Sequence, residues 1–244
     1  MRESPPGATG CRDRPRLAET WSTIEGQAGP AMLRINEIFL SIQGESTFAG
    51  RPCVFVRLTG CDLRCSWCDT AHAFTEGRDR AVDDVVAEVA GHGCSLVEIT
   101  GGEPLLQEDV YALMERLLAR GDTVLLETGG HRSLDRVPEA VVKIVDVKCP
   151  ESGEAHTTEW ANLARLGARD EIKFVIAGRA DYDYAKDILL RHSLARRCGA
   201  VLFSPAHGVL CAADLAAWVL ADRLPVRVQL QLHKLIWGGD ARGV

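Results

Sequence analysis

Residues 51–74 read RPCVFVRLTGCDLRCSWCDTAHAF, and this stretch decides how the chain is built and where its chemistry lies. Its first part is a strand: apolar and polar residues alternate in CVFVRLT, and side chains two apart share a face. Val54, Val56 and Leu58 form one apolar face, while Phe55, Arg57 and Thr59 share the other. Gly60 closes the strand, and the chain enters Cys61-x3-Cys65-x2-Cys68. Thiolates are soft ligands, and three in one short loop can hold three corners of a 4Fe–4S cube. The fourth iron then stays open to a small molecule offering amino and carboxylate groups. Zinc and buried inert thiols are the plainer readings. A zinc knuckle pairs Cys-x2-Cys with a second Cys or His pair, and no such pair follows downstream. The cluster reading stands ahead of zinc, and zinc ahead of inert cysteines.

Working outward, short apolar runs alternate with helical periodicity from Leu33 to the end. Strands are expected at 34–40, 53–59, 95–100, 122–127, 141–147, 171–176, 200–203 and 226–232. Helices are expected near 81–91, 107–120, 158–166, 181–196 and 211–221. Such alternation makes βαβ units and a mainly parallel sheet. The patterned length falls short of the ~250 residues of a full eight-fold barrel, so the expected α/β fold is an incomplete, TIM-like barrel. Several strands also turn polar on one face towards their C-terminal ends: Glu98 and Thr100, Glu127, Asp146 and Lys148, Glu171 and Lys173, and Gln229, Gln231 and His233. Reacting groups converge at the C-terminal ends of barrel strands, so one polar cavity is expected there. Residues 1–31, rich in Pro, Gly, Ser, Thr and charge, have the composition of a disordered tail. Met32 is the expected true start of a single catalytic domain, 32–244, with the tail a tag or an over-long start; a regulatory arm is the other reading.

Composition narrows the class. Of 244 residues 46% are hydrophobic and 25% charged, ordinary values for a globular chain that buries its own core. A net charge of −6 speaks against a nucleic-acid surface. No apolar run reaches the ~18 residues of a membrane span, and no secretory h-region opens the chain, so a cytoplasmic protein without membrane partners is expected. Nine cysteines are too many to ignore. Cys11, Cys53, Cys94, Cys149, Cys198 and Cys211 are scattered and read as small hydrophobes, which isolates the crowded three.

The cysteine pattern, with Trp67 before its last member, resembles the radical S-adenosylmethionine superfamily. So does Gly101-Gly102-Glu103-Pro104 directly after the strand VEIT, where glycines allow close backbone approach to a cofactor. More closely, SIQGES (41–46), the stretch 51–74, TGGEPLLQ (100–107), LETGG (126–130), DVKCPESG (146–153), KFVI (173–176), FSPAHG (203–208) and QLHKLIWGGDARGV (231–244) resemble the 7-carboxy-7-deazaguanine synthase family. That resemblance implies conversion of 6-carboxy-5,6,7,8-tetrahydropterin to 7-carboxy-7-deazaguanine with loss of ammonia, towards queuosine and other 7-deazapurines. It also implies regenerated S-adenosylmethionine, magnesium, a homodimer, and an electron donor of flavodoxin or ferredoxin type.

Carried over by position, the resemblance gives the 4Fe–4S cluster to Cys61, Cys65 and Cys68. It gives S-adenosylmethionine to Trp67, Cys68, Asp69, Gly102, Glu127, Lys148 and Ser204. Substrate falls to Ile42, Gln43, Gly44, Arg57 and Thr100, and magnesium to Thr70, whose hydroxyl suits a hard cation. Plainer roles stay open: Gln43 as a turn residue, Thr70 as a helix cap, Glu45 as a loop acceptor, and His233 as a core histidine. Glu127 and Lys148 could pair with each other, and Arg57 with Glu98 or Glu127. Some family members place the chain's terminal carboxylate at the active site; no such role is carried onto the residues after His233. The rival readings are an activase of glycyl-radical enzymes and a non-catalytic iron–sulfur carrier or sensor.

Overall fold

Nine strands form one sheet in the order β3-β1-β2-β4-β5-β6-β7-β8-β9. They are β1 Met32–Ile42, β2 Pro52–Leu58, β3 Arg78–Ala81, β4 Leu96–Gly101, β5 Thr123–Thr128, β6 Val142–Asp146, β7 Glu171–Ile176, β8 Ala200–Pro205 and β9 Arg227–Val228. The computed structural model describes Met1, residues 29–239 and residues 241–244. The tail expected over 1–31 therefore lies almost wholly outside the described residues. From β2 to β9 every pairing is parallel, while β1 pairs antiparallel with both β2 and β3. The two edge strands, β3 and β9, do not pair with each other, so the barrel is incomplete, as expected.

Period-two alternation sorts the strand side chains into two layers. Val54, Val56, Leu58, Val97, Ile99, Val124, Leu126, Ile172, Phe174 and Phe203 face outward and pack in the larger core. Helices supply the other half of that core. In α1 (Val82–Gly91), Val82, Val85 and Val89 are buried. In α2 (Val110–Ala119), Val110, Leu113, Met114 and Leu117 repeat at the i, i+3, i+4, i+7 spacing of one helix face. Helix α3 (Arg179–Arg191) buries Tyr182, whose hydroxyl donates to Trp218 O at 2.9 Å on α5 (Ala212–Asp222). Inside the barrel a smaller core of Cys53, Phe55, Leu96, Leu125, Val142 and Ile144 fills the N-terminal half, with Phe39 and Phe48 against it. That plug leaves the C-terminal half for polar side chains.

The loop between β1 and β2 spans the gap between the sheet edges. It closes on itself through Gln43 N to Arg51 O and Gly50 N to Gln43 O, both 2.8 Å. It then reaches the far edge: Ser46 N donates to Gln229 Oε1 at 2.6 Å, and its own Gly44 O accepts from Leu232 N at 2.9 Å. Thr47 N donates to Glu171 at the start of β7 at 3.1 Å. Only glycine fits at 44, because an added Cβ would lie 2.0 Å from His233 Nδ1.

Four elements differ from expectation. The strand expected at 226–232 pairs only through Arg227–Val228, and the chain then turns into α6, Leu232–Trp237. The helix expected at 158–166 is a 3-10 turn, Trp160–Arg165. The helix expected at 181–196 begins at Arg179 and breaks at Ser193, whose φ of 52° lies in the left-handed region, before a last turn α4, Leu194–Arg197. Strand β3 was not expected: RDRA carries no apolar alternation and forms an edge by pairing with the start of β1.

Candidate active site

The C-terminal ends of the strands open on one cavity of about 240 Å³. Glu171, at the start of β7, and Gln229 do not line it, whereas every residue given a role by the resemblance does: Cys61, Cys65 and Cys68; Trp67, Asp69 and Thr70; Gly102, Glu127, Lys148 and Ser204; and Ile42, Gln43, Gly44, Arg57 and Thr100. They come from both ends of the chain because the parallel strands deliver their polar ends to one rim.

The cysteine loop is held on several sides. Its Gly60 N donates to Ala73 O at 2.8 Å, and Ser66 N to Ser152 O at 3.1 Å. Arg64 N donates to Glu154 Oε1 at 2.7 Å, and its guanidinium lies 4.3 Å from the Phe74 ring centre. Asp62 is held by His131 at 2.7 Å and by Arg132. The Gly-Gly-Glu-Pro turn packs backbone to backbone against it: an added Cβ at Gly102 would lie 2.3 Å from Gly60 O. Glu103 is a buried local acceptor, taking bonds from Leu105 N, Thr128 Oγ1 and Gly129 N at 2.9 Å. Burial, chiefly, raises the Cys61 and Cys65 thiols above their usual range.

Among the described residues, no three His, Cys, Asp or Glu side chains converge on one ion-sized point. A cube presents its irons at separate corners, so its ligands need not converge; the three thiols around one cavity suit a cluster better than a single zinc. Asp146 Oδ1 is buried there without a partner, and Lys148, Ser204 and Glu127 line the cavity beside the thiols. Both features fit a polar ligand above the cluster loop.

The cavity floor is a charge network. Lys173 Nζ bonds Glu45 Oε2 at 2.9 Å and Glu127 Oε1, with Asp146 Oδ2 at 4.0 Å. Burial opposes the Lys173 charge, but Glu127, Glu45 and Asp146 together push its pKa well up. Burial also opposes the Glu45 charge, and Lys173 with the Gln231 amide holds that carboxylate below its usual range. Gln229 Nε2 and Gln231 Nε2 donate to Glu45 at 3.0 and 2.9 Å. Glu45 thus crosses the barrel and is more than a loop acceptor.

Two anticipated pairings are corrected. Glu127 pairs with Lys173, and Lys148 pairs with Asp146 at 2.8 Å, so the two do not pair with each other. Arg57 pairs with neither Glu98 nor Glu127 but through Nε with Glu37 at 2.8 Å, the residue opposite it on β1. Thr70 does stand at the N-cap of a 3-10 turn, yet its side chain makes no capping bond, and its hydroxyl touches only Cys68 Sγ, at 3.9 Å. His233 is half-buried on the cavity wall, with its pKa lowered by burial. Asp69 is held by Lys234, and Ser204 Oγ donates to Gln229 O at 3.1 Å.

Residues 55–152 match the Radical SAM superfamily. The 7-carboxy-7-deazaguanine synthase of Koribacter versatilis is 50% identical over 228 residues, spanning 87% of this chain and 100% of its own length. That of Chlorobaculum tepidum is 47% identical over 217 residues, spanning 88% and 98%. This chain belongs to the 7-carboxy-7-deazaguanine synthase family. Membership sets it apart from activases of glycyl-radical enzymes and from iron–sulfur carriers. The fold agrees: the crystal structure of QueE from Escherichia coli superposes with a TM-score of 0.69 over 83% of this chain and 95% of that one, at 24% identity.

Against this synthase framework, sequence reasoning passed over several cavity residues. Lys173 and Asp146 are placed on the right face by the sequence but given no part, Lys234 and His207 are given no role, and Val244, the terminal residue to which no active-site role is carried, lines the cavity. Their signal was weak, since each needs the fold to reveal its neighbour. Among the described residues, no helix is long and apolar enough to cross a membrane.

Proposed function

We propose that this chain converts 6-carboxy-5,6,7,8-tetrahydropterin to 7-carboxy-7-deazaguanine with loss of ammonia. The observation that carries the reading is the cavity at the C-terminal ends of the strands. Its rim has three thiols and the Gly101-Gly102 turn, its wall an arginine and its floor a buried charge network. Family membership supplies the reaction, and the cavity's chemistry fits it. When bound, the cluster and S-adenosylmethionine supply the electron transfer and the hydrogen-abstracting chemistry that begin ring contraction.

The protein's own residues bind, orient and exclude water. Cys61, Cys65 and Cys68 hold the cluster. Trp67, Cys68, Asp69, Gly102, Glu127, Lys148 and Ser204 would surround S-adenosylmethionine. Ile42, Gln43, Gly44, Arg57 and Thr100 receive the pterin. With Glu37 on its Nε, Arg57 keeps the outer nitrogens of its fork for the substrate's carboxylate, a planar match that lysine lacks. The Thr70 hydroxyl takes magnesium. The enzyme works as a homodimer in the cytoplasm, reduced by a flavodoxin or ferredoxin.

The test is an anaerobic incubation of the reconstituted protein with 6-carboxytetrahydropterin, S-adenosylmethionine, magnesium and reductant. The expected result is 7-carboxy-7-deazaguanine and ammonia in equal amounts. A protein with its cluster intact that leaves the pterin unchanged refutes the reading.

A further inference from the structure

Among the described residues Glu98 is the floor carboxylate that Lys173 does not pair with, unlike Glu45, Glu127 and Asp146. It is 3% exposed, and among the described residues no cation lies within ion-pair distance of it. Its Oε2 accepts from Gln43 Nε2, while Gln43 Oε1 accepts from Glu45 N at 2.9 Å, which fixes the amide's orientation. Its other oxygen has no protein partner among the described residues. That oxygen is also not among the sealed, unpartnered atoms, so it opens on the cavity that Glu98 lines.

Position adds a second argument. Arg57 stands opposite Thr100 in the β2–β4 register, and Phe55 stands opposite Glu98. Glu98 thus lies two residues deeper than the arginine, on the same inner face, about 7 Å along the strand. A molecule anchored to Arg57 by a carboxylate would bring its ring system down to Glu98. Phe39 and Phe55, stacked with centres 5.1 Å apart, line the cavity at that depth and offer a flat apolar wall.

We propose that Glu98 is a specificity residue that reads the pyrimidinone ring of the pterin as a neutral acid, its cavity-facing oxygen donating O–H to the ring carbonyl. This rests on the function proposed above and deepens it. Burial first, then the neighbouring Glu127 and Glu45 carboxylates, push its pKa well above the usual range, with Lys173 and Gln43 opposing. A neutral carboxyl keeps one donor to spend, and a buried donor left without an acceptor is costly. A 4-oxo ring accepts that bond, whereas a 4-amino ring presents another donor in its place.

The experiment uses the anaerobically reconstituted holoenzyme with S-adenosylmethionine, titrated by fluorescence with two non-reacting probes. These are 6-carboxypterin and its 4-amino analogue, 2,4-diaminopteridine-6-carboxylate. The wild-type protein should bind the 4-oxo probe at least about tenfold more tightly. Glu98→Leu should lose most of that preference, and Glu98→Gln, which keeps one donor and one acceptor, should retain more of it than Leu. Iron content and thermal unfolding establish that both variants fold. Equal binding of the two probes by the wild-type protein overturns the inference whatever the variants do, and so does a preference that survives in Glu98→Leu. A wild-type holoenzyme that binds neither probe overturns the pterin reading itself, and this inference with it.

Discussion

Replacing Lys173 by Met tests whether the floor network carries the stability that its geometry implies. Methionine keeps the length and removes the one cation among the described residues that touches both Glu45 and Glu127. The Lys173 side chain is 7% exposed, so water cannot substitute for it. Removing one partner of a buried ionic group leaves an uncompensated charge and costs about 3–5 kcal/mol. For a chain of this size each kcal/mol moves Tm by roughly 2–4 °C, so a cost of about 4 kcal/mol lowers Tm by roughly 8–16 °C. The loss should depend on pH in a fixed direction. In the wild-type protein Glu45 is held below the ordinary carboxylate value of 4.5, so its stabilisation is complete above that pH and lost as pH falls below it. In Lys173→Met the same carboxylate is buried without its cation, its pKa rises, and the variant loses stability as pH climbs from 4.5. The difference between the two proteins therefore opens between about pH 4.5 and 7 and closes on acidification. Lys173, with its pKa raised, stays charged across this range. Thermal unfolding of the cluster-free protein across pH 4.5–8 reads the effect without any contribution from ligands. A variant within about 1 kcal/mol of wild type at pH 7, or a gap that does not change with pH, refutes the reasoning.

Replacing any of Cys61, Cys65 or Cys68 by Ala should abolish the about four irons per chain that a cube requires, while Cys94→Ala, Cys198→Ala and Cys211→Ala should retain them by iron and sulfide analysis. Stoichiometric zinc in the native protein would count against the cluster. Thr70→Ala should raise the magnesium concentration needed for half-maximal turnover without altering iron content; an unchanged magnesium response leaves Thr70 as a turn residue alone. Arg57→Lys keeps the charge but loses the fork, and should weaken pterin binding by about 2–5 kcal/mol at unchanged S-adenosylmethionine affinity. Normal pterin binding by that variant removes the carboxylate role.

The sequence showed the inner and outer faces of the barrel well, because period-two alternation is strict where both faces are buried. Val54, Val56 and Leu58 pack outward and Phe55 and Arg57 inward, as alternation requires. The failures have physical causes. VRVQLQL alternates like a strand, but its glutamines are spaced to reach Glu45 across the barrel, and pairing stops after Val228. RDRA has no apolar face because an edge strand needs none on its solvent side. The cluster loop was legible because all its ligands are local. The charge network was not, since Lys173 and Glu45 are 128 residues apart and nothing in either segment names the other. For the same reason Arg57 found Glu37 and not the acids first considered: β1 lies antiparallel to β2 and brings its own carboxylate alongside.

The β1–β2 loop gives the barrel a seam whose strength differs from that of its staves. Elsewhere the wall is continuous backbone pairing, which opens only with the whole fold. Between β1 and β9 it is turn and side-chain bonds, from the loop backbone to Gln229, Leu232 and Glu171 and from the Glu45 carboxylate to Lys173, Gln229 and Gln231, beside a strand only two residues long. Segments joined without continuous backbone pairing open locally at less than the global cost. Amide exchange should therefore run fastest, and together, in residues 43–51 and 227–237. Six residues lining the cavity, Gln43, Gly44, Glu45, Gln231, His233 and Lys234, belong to those segments. The ligand site then has a rigid side, set by β2 to β7, and a compliant side that can yield to a large guest while the cysteine loop stays still.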